Sequence, residues 1–434
     1  MPAVLLSLGY LFLFLLLIRK LRFFAAEGLS VPMLSALFLL KVLGGLALWW
    51  VYTYHYRDRS TADLYKYFDD SAVMFSALPD RPTDYVRMLF GIGNDSPYFT
   101  ERYYIHMNNW FRQYEGNLYN DSHTLIRLNA LLRLFSAGHM HVHTVMAAFM
   151  SFTGLFTLWK AFVPWFGERE RLLAFLLFLP PSVLFWAGGP VKESLLFFAV
   201  GLLLWQVFHS IQHGLNAKGI LIILSCSVLL FYLKFYVLMS MLPGLVALIW
   251  CAWRPGRTFF RFGLVLLLFL VAALNIHHLV PGFNILEVLF WKHRDFIGLA
   301  DLMNSGSYVA PPALEPSVGS FVRFAPYALY ITFLGPLVHL SGGAAGLLAA
   351  AETIAVLLFV VLSVLWHRPW PLIGKAQVLF CLSFVVLLAL VIGYTTPVMG
   401  AIVRYRTPLL PFLLIGAALL TDPSRWPFIR NHRQ

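Results

Sequence analysis

Long apolar runs recur along almost the whole of this 434-residue chain, and they narrow its folds more than any motif does. A helix crossing a hydrocarbon core of about 30 Å needs roughly 20 apolar residues, and only helices or closed barrels hide their backbone polar groups there. The runs predict spans over residues 3-18, 32-53, 140-159, 171-187, 192-208, 219-233, 236-252, 260-276, 345-366, 376-394 and 406-421. The expected fold class is therefore all-α, a polytopic transmembrane helix bundle of about 10-12 spans in which residues 1-434 form a single transmembrane domain. Composition agrees: 60% of the residues are hydrophobic and 12% charged, about half the charged share of a soluble domain.

The net charge of +12 does not point to nucleic acid, because the Lys and Arg residues stand in short clusters beside apolar runs. Those clusters are Arg19/Lys20/Arg22, Lys160 with Arg169/Arg171, Lys218, Arg254/Arg257/Arg261, His367/Arg368 with Lys375, and the tail from Arg425 to Arg433. With the spans as above they fall on one side, which the positive-inside rule makes the cytoplasm. The amino terminus is then expected outside and the carboxyl terminus inside. The first run, Val4 to Ile18, follows no basic residue and ends in Arg19-Lys20-Leu21-Arg22, the reverse of a signal peptide's order, so it reads as a retained span. Cys226, Cys251 and Cys381 all lie in apolar runs and suggest neither disulfides nor a thiolate metal site.

Two long polar segments, 54-139 and 277-344, then share the outer side. Their mixed composition predicts short helices lying on the membrane surface. Segments 123-137 and 323-338 are apolar but short and interrupted by Arg or Pro, and read as interfacial or re-entrant helices.

Ionisable groups beside a span are costly and need a reason. Asp63-Leu64-Tyr65-Lys66-Tyr67-Phe68-Asp69-Asp70 follows the second span. A carboxylate there suits a general base or metal ligand, and a solvated charged turn is the plain alternative. Successive helical residues point about 100° apart, so Asp69 and Asp70 do not both face one substrate. Gly188-Gly189-Pro190-Val191-Lys192-Glu193 breaks the chain between two spans. It offers backbone N-H groups, a helix dipole and a lysine to an anion, unless Lys192 and Glu193 merely neutralise one another. Arg404-Tyr405-Arg406 opens the last span with two guanidinium groups suited to phosphate or, alternatively, to snorkelling. Lys234, between two apolar runs, either joins that cationic pocket or caps a hairpin. His139, His141 and His143 alternate and His277-His278 are adjacent, so neither set forms an obvious ligand face. No metal site is assigned; a divalent ion at Asp69 or these histidines stays an open alternative.

The stretch from Met140 to Leu204 has a familiar order. An apolar span ends Leu158-Trp159-Lys160-Ala161-Phe162, a hinge Phe166-Gly167-Glu168-Arg169-Glu170-Arg171 follows, a second span reaches Pro180-Pro181, and a third opens after Gly189-Pro190-Val191-Lys192-Glu193. This resembles the middle of bacterial GT-C glycosyltransferases, the polytopic superfamily that includes the protein mannosyltransferases and the lipid A aminoarabinose transferase. Val403-Arg404-Tyr405-Arg406-Thr407-Pro408-Leu409-Leu410-Pro411 resembles the arginine-bearing opening of a late span in such transferases. The two matches together cover about a sixth of the chain.

The resemblance implies a GT-C-like bundle that takes a sugar from a polyprenyl-phosphate donor on the outer face and passes it to a glycan, lipid or protein acceptor. Asp69 or Asp70 would be the acidic residue of the first outer loop and deprotonate the acceptor. Lys192, Arg404 and Arg406 would hold the departing phosphate, with Glu193, Lys234 and Tyr405 beside them. Tyr65, Tyr67, Tyr103, Tyr104 and Trp110 would offer aromatic platforms to a sugar ring. Membrane lipid is an expected partner and nucleic acid is not. Two other classes compete: a polymerase or ligase of lipid-linked glycans, for which 277-344 would be the late outer loop, and a non-enzymatic transporter or flippase. Charges gathered at one face, with span midpoints nearly free of charge, weigh against the transporter.

Overall fold

The computed structural model describes residues 2-55, 58-111, 119-339, 343-369 and 374-422; the basic tail from Arg425 to Arg433 lies outside the described residues. Nineteen α-helices follow one another, and no strand occurs among the described residues. They are α1 (Pro2–Lys20), α2 (Val31–Tyr54), α3 (Asp63–Phe75), α4 (Pro82–Phe90), α5 (Pro97–Arg102), α6 (Ser122–Ser136), α7 (Met140–Phe162), α8 (Glu170–Phe178), α9 (Pro181–Trp186) and α10 (Lys192–His213). Then come α11 (Ala217–Trp253), α12 (Thr258–Asn275), α13 (Ile285–Leu302), α14 (Val318–Phe333), α15 (Gly335–Val338), α16 (Ala344–Leu365), α17 (Lys375–Thr395), α18 (Met399–Tyr405) and α19 (Leu409–Leu420).

Among the described residues eight helices are long and apolar enough to cross a membrane, or nine if α18 and α19, bent by 58° from one another, make one span. The eleven expected spans shrink for local reasons. The run 171-187 is split into α8 and α9, because Pro180 and Pro181 lack the N-H a helix interior needs and Pro181 instead starts a new helix. The runs 219-233 and 236-252 remain two helices that meet at a kink and count together as α11, whose 37 residues would span about 55 Å if straight, far beyond a bilayer core. Its backbone leaves helical geometry at Lys234, at φ −154° and ψ 78°, where the sequence interrupts the apolar run. The run 406-421 is the bent pair, with Pro408 at the joint. Segments 123-137 and 323-338 supply no span: α6 has 15 residues, and α14 has 16 with Pro326 inside.

The chain forms two compact units, Met1–Phe162 with Val183–Phe235, and Val163–Ser182 with Tyr236–Gln434. In the first, α7 is the central helix. A Cβ on Gly154 would come within 2.2 Å of the Phe197 carbonyl, and one on Gly201 within 1.8 Å of the Gly154 carbonyl, so α7 and α10 touch backbone to backbone. Small residues that admit such contact are the usual means of packing helices in lipid, where apolar burial gives no drive. Helix α1 packs through Phe14, stacked on Phe149 at 4.2 Å, and α2 through Phe38 against Phe149 and Phe152. Of the short helices between α2 and α7, α6 is bonded to α3 through Arg133 and Ser71 at 2.8 Å and to α4 through Arg127 and the Met88 carbonyl at 3.0 Å.

In the second unit α17 is central. A Cβ on Gly393 would meet the Ala328 carbonyl of α14 at 2.2 Å. Helix α19 packs on α17 through Phe412 against Phe380 and Phe384, and α13 is tied to it by His293, whose Nδ1 bonds the Tyr394 carbonyl at 2.8 Å.

Candidate functional site

The first cluster is built where α10 begins. Gly44 and Gly45 of α2 let the turn after α9 approach closely: a Cβ on Gly45 would lie 2.2 Å from the Gly188 carbonyl, and one on Gly188 2.4 Å from the Gly45 nitrogen. The turn is pinned further by Lys41 of α2, fully buried, which donates to the Val183 carbonyl at 2.5 Å. Val191 then stays extended as the N-cap, and Ser194 donates back to the Gly189 and Val191 carbonyls at 2.7 Å. Lys192 and Glu193 therefore enter in the first turn of α10.

They do not neutralise each other. Lys192 pairs with Asp121 at 2.8 Å and stands 5.4 Å from the centre of the Tyr67 ring. This pair is partly open, the side chains being 11% and 28% exposed. Asp121 precedes α6 but does not cap it; its carboxylate reaches Lys192 instead. Glu193 pairs with Lys234 at 2.8 Å, both fully enclosed. The break in α11 is thus where an ammonium is delivered to a buried carboxylate, which it must be if neither charge is to stand alone in a medium that punishes it.

Helix α3 separates its two adjacent aspartates, as their 100° offset requires. Asp69 faces outward, 46% exposed, in a two-pronged pair with Arg59 at 2.8 and 2.7 Å. Asp70 is buried and accepts the backbone N-H groups of Asn108 (2.7 Å) and Asn109 (2.8 Å). Burial pushes the Asp70 carboxyl above the usual carboxylate range, although the two N-H bonds pull the other way. Asp70 holds the loop that leads to Trp110, which is stacked between Tyr104 at 4.1 Å and His123 at 3.8 Å. Burial also raises the Tyr104 phenol, to about 12. Tyr65, Tyr67, Tyr103, Tyr104 and Trp110 are all buried, so in this conformation their rings are loop core and none offers an open face to a sugar. Tyr65 bonds Thr53 at 2.6 Å and carries the Arg59 guanidinium 3.8 Å above its ring.

The remaining expected residues belong to the second unit. Arg406 is buried, donates to Thr353 at 2.8 Å and stands 3.6 Å from Glu352. Glu352 also accepts the Ser182 backbone N-H at 2.8 Å and the Ser182 hydroxyl. Arg404 is buried too, and Tyr405 meets the Phe296 ring edge-on at 6.1 Å.

Several polar residues here escape a reading by motif. Lys41 and Glu352 each interrupt a strongly apolar run, and a lone ionisable group in such a run was the available signal; both qualify the expectation of span midpoints nearly free of charge. Within the first unit His143 bonds Ser136 and Asn129, each at 2.7 Å, while Arg133 donates to Ser71 at 2.8 Å and to the Phe68 carbonyl at 2.7 Å. All are buried, and nothing in their spacing announces that they meet. No group of three or more His, Cys, Asp or Glu side chains stands ready for a metal among the described residues. Cys226 and Cys381 are buried, Cys251 half-buried, and all three are free.

Comparison with family models, with curated proteins and with solved structures returns no match. The class the fold defines is that of an all-helical, multi-pass membrane protein.

Proposed function

We propose that this chain is a membrane glycosyltransferase, GT-C-like in fold, that moves a sugar from a polyprenyl-phosphate donor to a lipid, glycan or protein acceptor at the outer face of a bacterial inner membrane. The observation that carries the reading is Lys192: a cation in the first turn of a membrane-length helix, paired to a partly exposed Asp121 from the outer segment. A lipid phosphate can take the place of the Asp121 carboxylate, gaining both the ammonium and the positive end of the α10 dipole. The fixed pair Glu193–Lys234 beside it keeps the local backbone in place without competing for the anion. Of the two loop carboxylates, Asp69 is the more accessible to an acceptor, because it is solvent-exposed with its Arg59 partner while Asp70 is buried against the 108-109 loop.

The intact chain in lipid nanodiscs, given a polyprenyl-phosphate-monosaccharide, is expected to release or transfer the sugar. Lys192→Met should lower kcat/KM for the donor, and Asp69→Asn should lower kcat more than KM. Sugar left on the lipid across a panel of donors and acceptors would overturn the reading.

A transporter or flippase is the second reading, and one observation favours it: Ser182, Glu352, Thr353 and Arg406 converge from three elements, next to broken helices, as ion-coupled carriers require. Passage of a labelled polyprenyl lipid across proteoliposomes without sugar release would select it.

A further inference from the structure

The second half of helix α6 carries its polarity inside out. Asn129, Arg133 and Ser136 are buried and bonded to His143, Ser71 and the Phe68 carbonyl. On the opposite side Leu131, Leu134 and Phe135 stand 40%, 45% and 56% exposed. In water this is unfavourable, since each of these half-exposed side chains forgoes roughly half of the about 1.5–3 kcal/mol that full burial would give. Against acyl chains it is the low-energy arrangement, because polar groups are satisfied within the protein and apolar side chains meet a solvent of their own kind.

Helix α1 indicates where that face lies. The Tyr10 hydroxyl donates to the Phe135 carbonyl at 2.8 Å, and around it α1 leaves Val4, Leu5, Leu8 and Phe12 exposed. Tyr10 lies eight residues into a helix that begins at Pro2, which places the end of α6 on the order of 10 Å along α1 from its start. With 15 residues α6 measures about 22 Å, too short to cross, and its depth matches that of a helix lying at the headgroup and acyl boundary. The apolar face continues at the other end of α6. One turn before Leu131, Arg127 donates to the Met88 carbonyl of α4 at 3.0 Å, and Phe90 and Ile92 stand 68% and 67% exposed around Gly91, whose left-handed φ of +71° turns the chain there.

We infer that α6 and the turn after α4 form a membrane-dipping platform, with Phe90, Ile92, Leu131, Leu134 and Phe135 among lipid acyl chains. The outer segment is then docked on the bilayer rather than standing off it in water. This rests on the apolar helices crossing a membrane and is independent of the transferase reading.

The test uses the intact chain in nanodiscs that contain a phospholipid with a diazirine in its acyl chain. After illumination, peptides covering 86-92 and 131-135 should carry adducts in yields like those of residues 4-12 of α1, and several-fold above those of residues 58-61. Yields no higher than at 58-61 would overturn the inference. A second measurement places a nitroxide at Phe90→Cys or Phe135→Cys in a chain with Cys226, Cys251 and Cys381 changed to Ala. Oxygen should collide with the label several-fold more often than a water-soluble nickel chelate does. An excess of nickel collisions would assign the face to water, and protection from both reagents would assign it to a second copy of the chain; either result refutes the platform.

Discussion

Glu352 and Arg406 offer the sharpest energetic prediction, because all their described partners are at hand. Their closest approach, 3.6 Å, is worth about 5 kcal/mol of attraction at an effective dielectric constant of about 20. Removing either charge leaves the other enclosed with only hydroxyl or backbone partners. Arg406 would keep Thr353, while its Nε already lacks a partner; Glu352 would keep Ser182. Breaking a buried pair from one side costs about 3–5 kcal/mol, whereas replacing both partners by neutral groups of similar volume is often near neutral. Glu352→Gln and Arg406→Leu are each expected to lose about 3–5 kcal/mol, and the double variant to lie within about 2 kcal/mol of the parent. The assay is equilibrium unfolding of the detergent-solubilised chain followed by tryptophan fluorescence, read as a double-mutant cycle. Additive losses, with the double variant the least stable of the four, would refute the claim that these two charges exist for one another.

Three further outcomes follow from the same structure. Asp70→Asn should cost about 1–3 kcal/mol at neutral pH by leaving one of the Asn108 and Asn109 N-H groups without its acceptor. Because the folded carboxyl is raised, its protonation-linked stability is fully present below the unfolded value near 3.9 and is lost as pH rises through the folded value, so the gap between parent and variant should narrow on going from about pH 4 to pH 7 in unfolding experiments. Gly188→Ala should fail to assemble or lose several-fold in thermal half-life, since its Cβ would sit 2.4 Å from the Gly45 nitrogen; unchanged melting would contradict the backbone contact. Tyr104, raised to about 12, should be absent from the phenolate absorbance that grows between about pH 9.5 and 11, so Tyr104→Phe should leave that amplitude unchanged.

The apolar runs carried the membrane reading, and the break at Lys234 was visible as a charge in such a run. Pro180-Pro181 and Pro408 were equally visible as helix breakers, yet average hydropathy over 171-187 and 406-421 conceals them, which is why two expected spans proved to be broken ones. What single residues face was less legible. The divergence of Asp69 and Asp70 follows from helical geometry alone, but the capture of Asp70 by the 108-109 backbone is a loop contact across 38 positions that no local pattern encodes. The pairings Lys192–Asp121 and Glu193–Lys234 are likewise tertiary facts. Lys41 and Glu352 are legible by type, each a lone ionisable residue in an apolar helix, but nothing local says what either one meets.

Binding of the lipid donor at the start of α10 is tested most directly by native mass spectrometry of the chain released from nanodiscs that contain polyprenyl phosphate and phosphatidylethanolamine. The parent is expected to retain polyprenyl phosphate selectively, and Lys192→Met to weaken that retention about tenfold, or roughly 1.4 kcal/mol. Equal retention by parent and variant, or no preference for the phosphorylated polyprenyl lipid, would contradict the assignment.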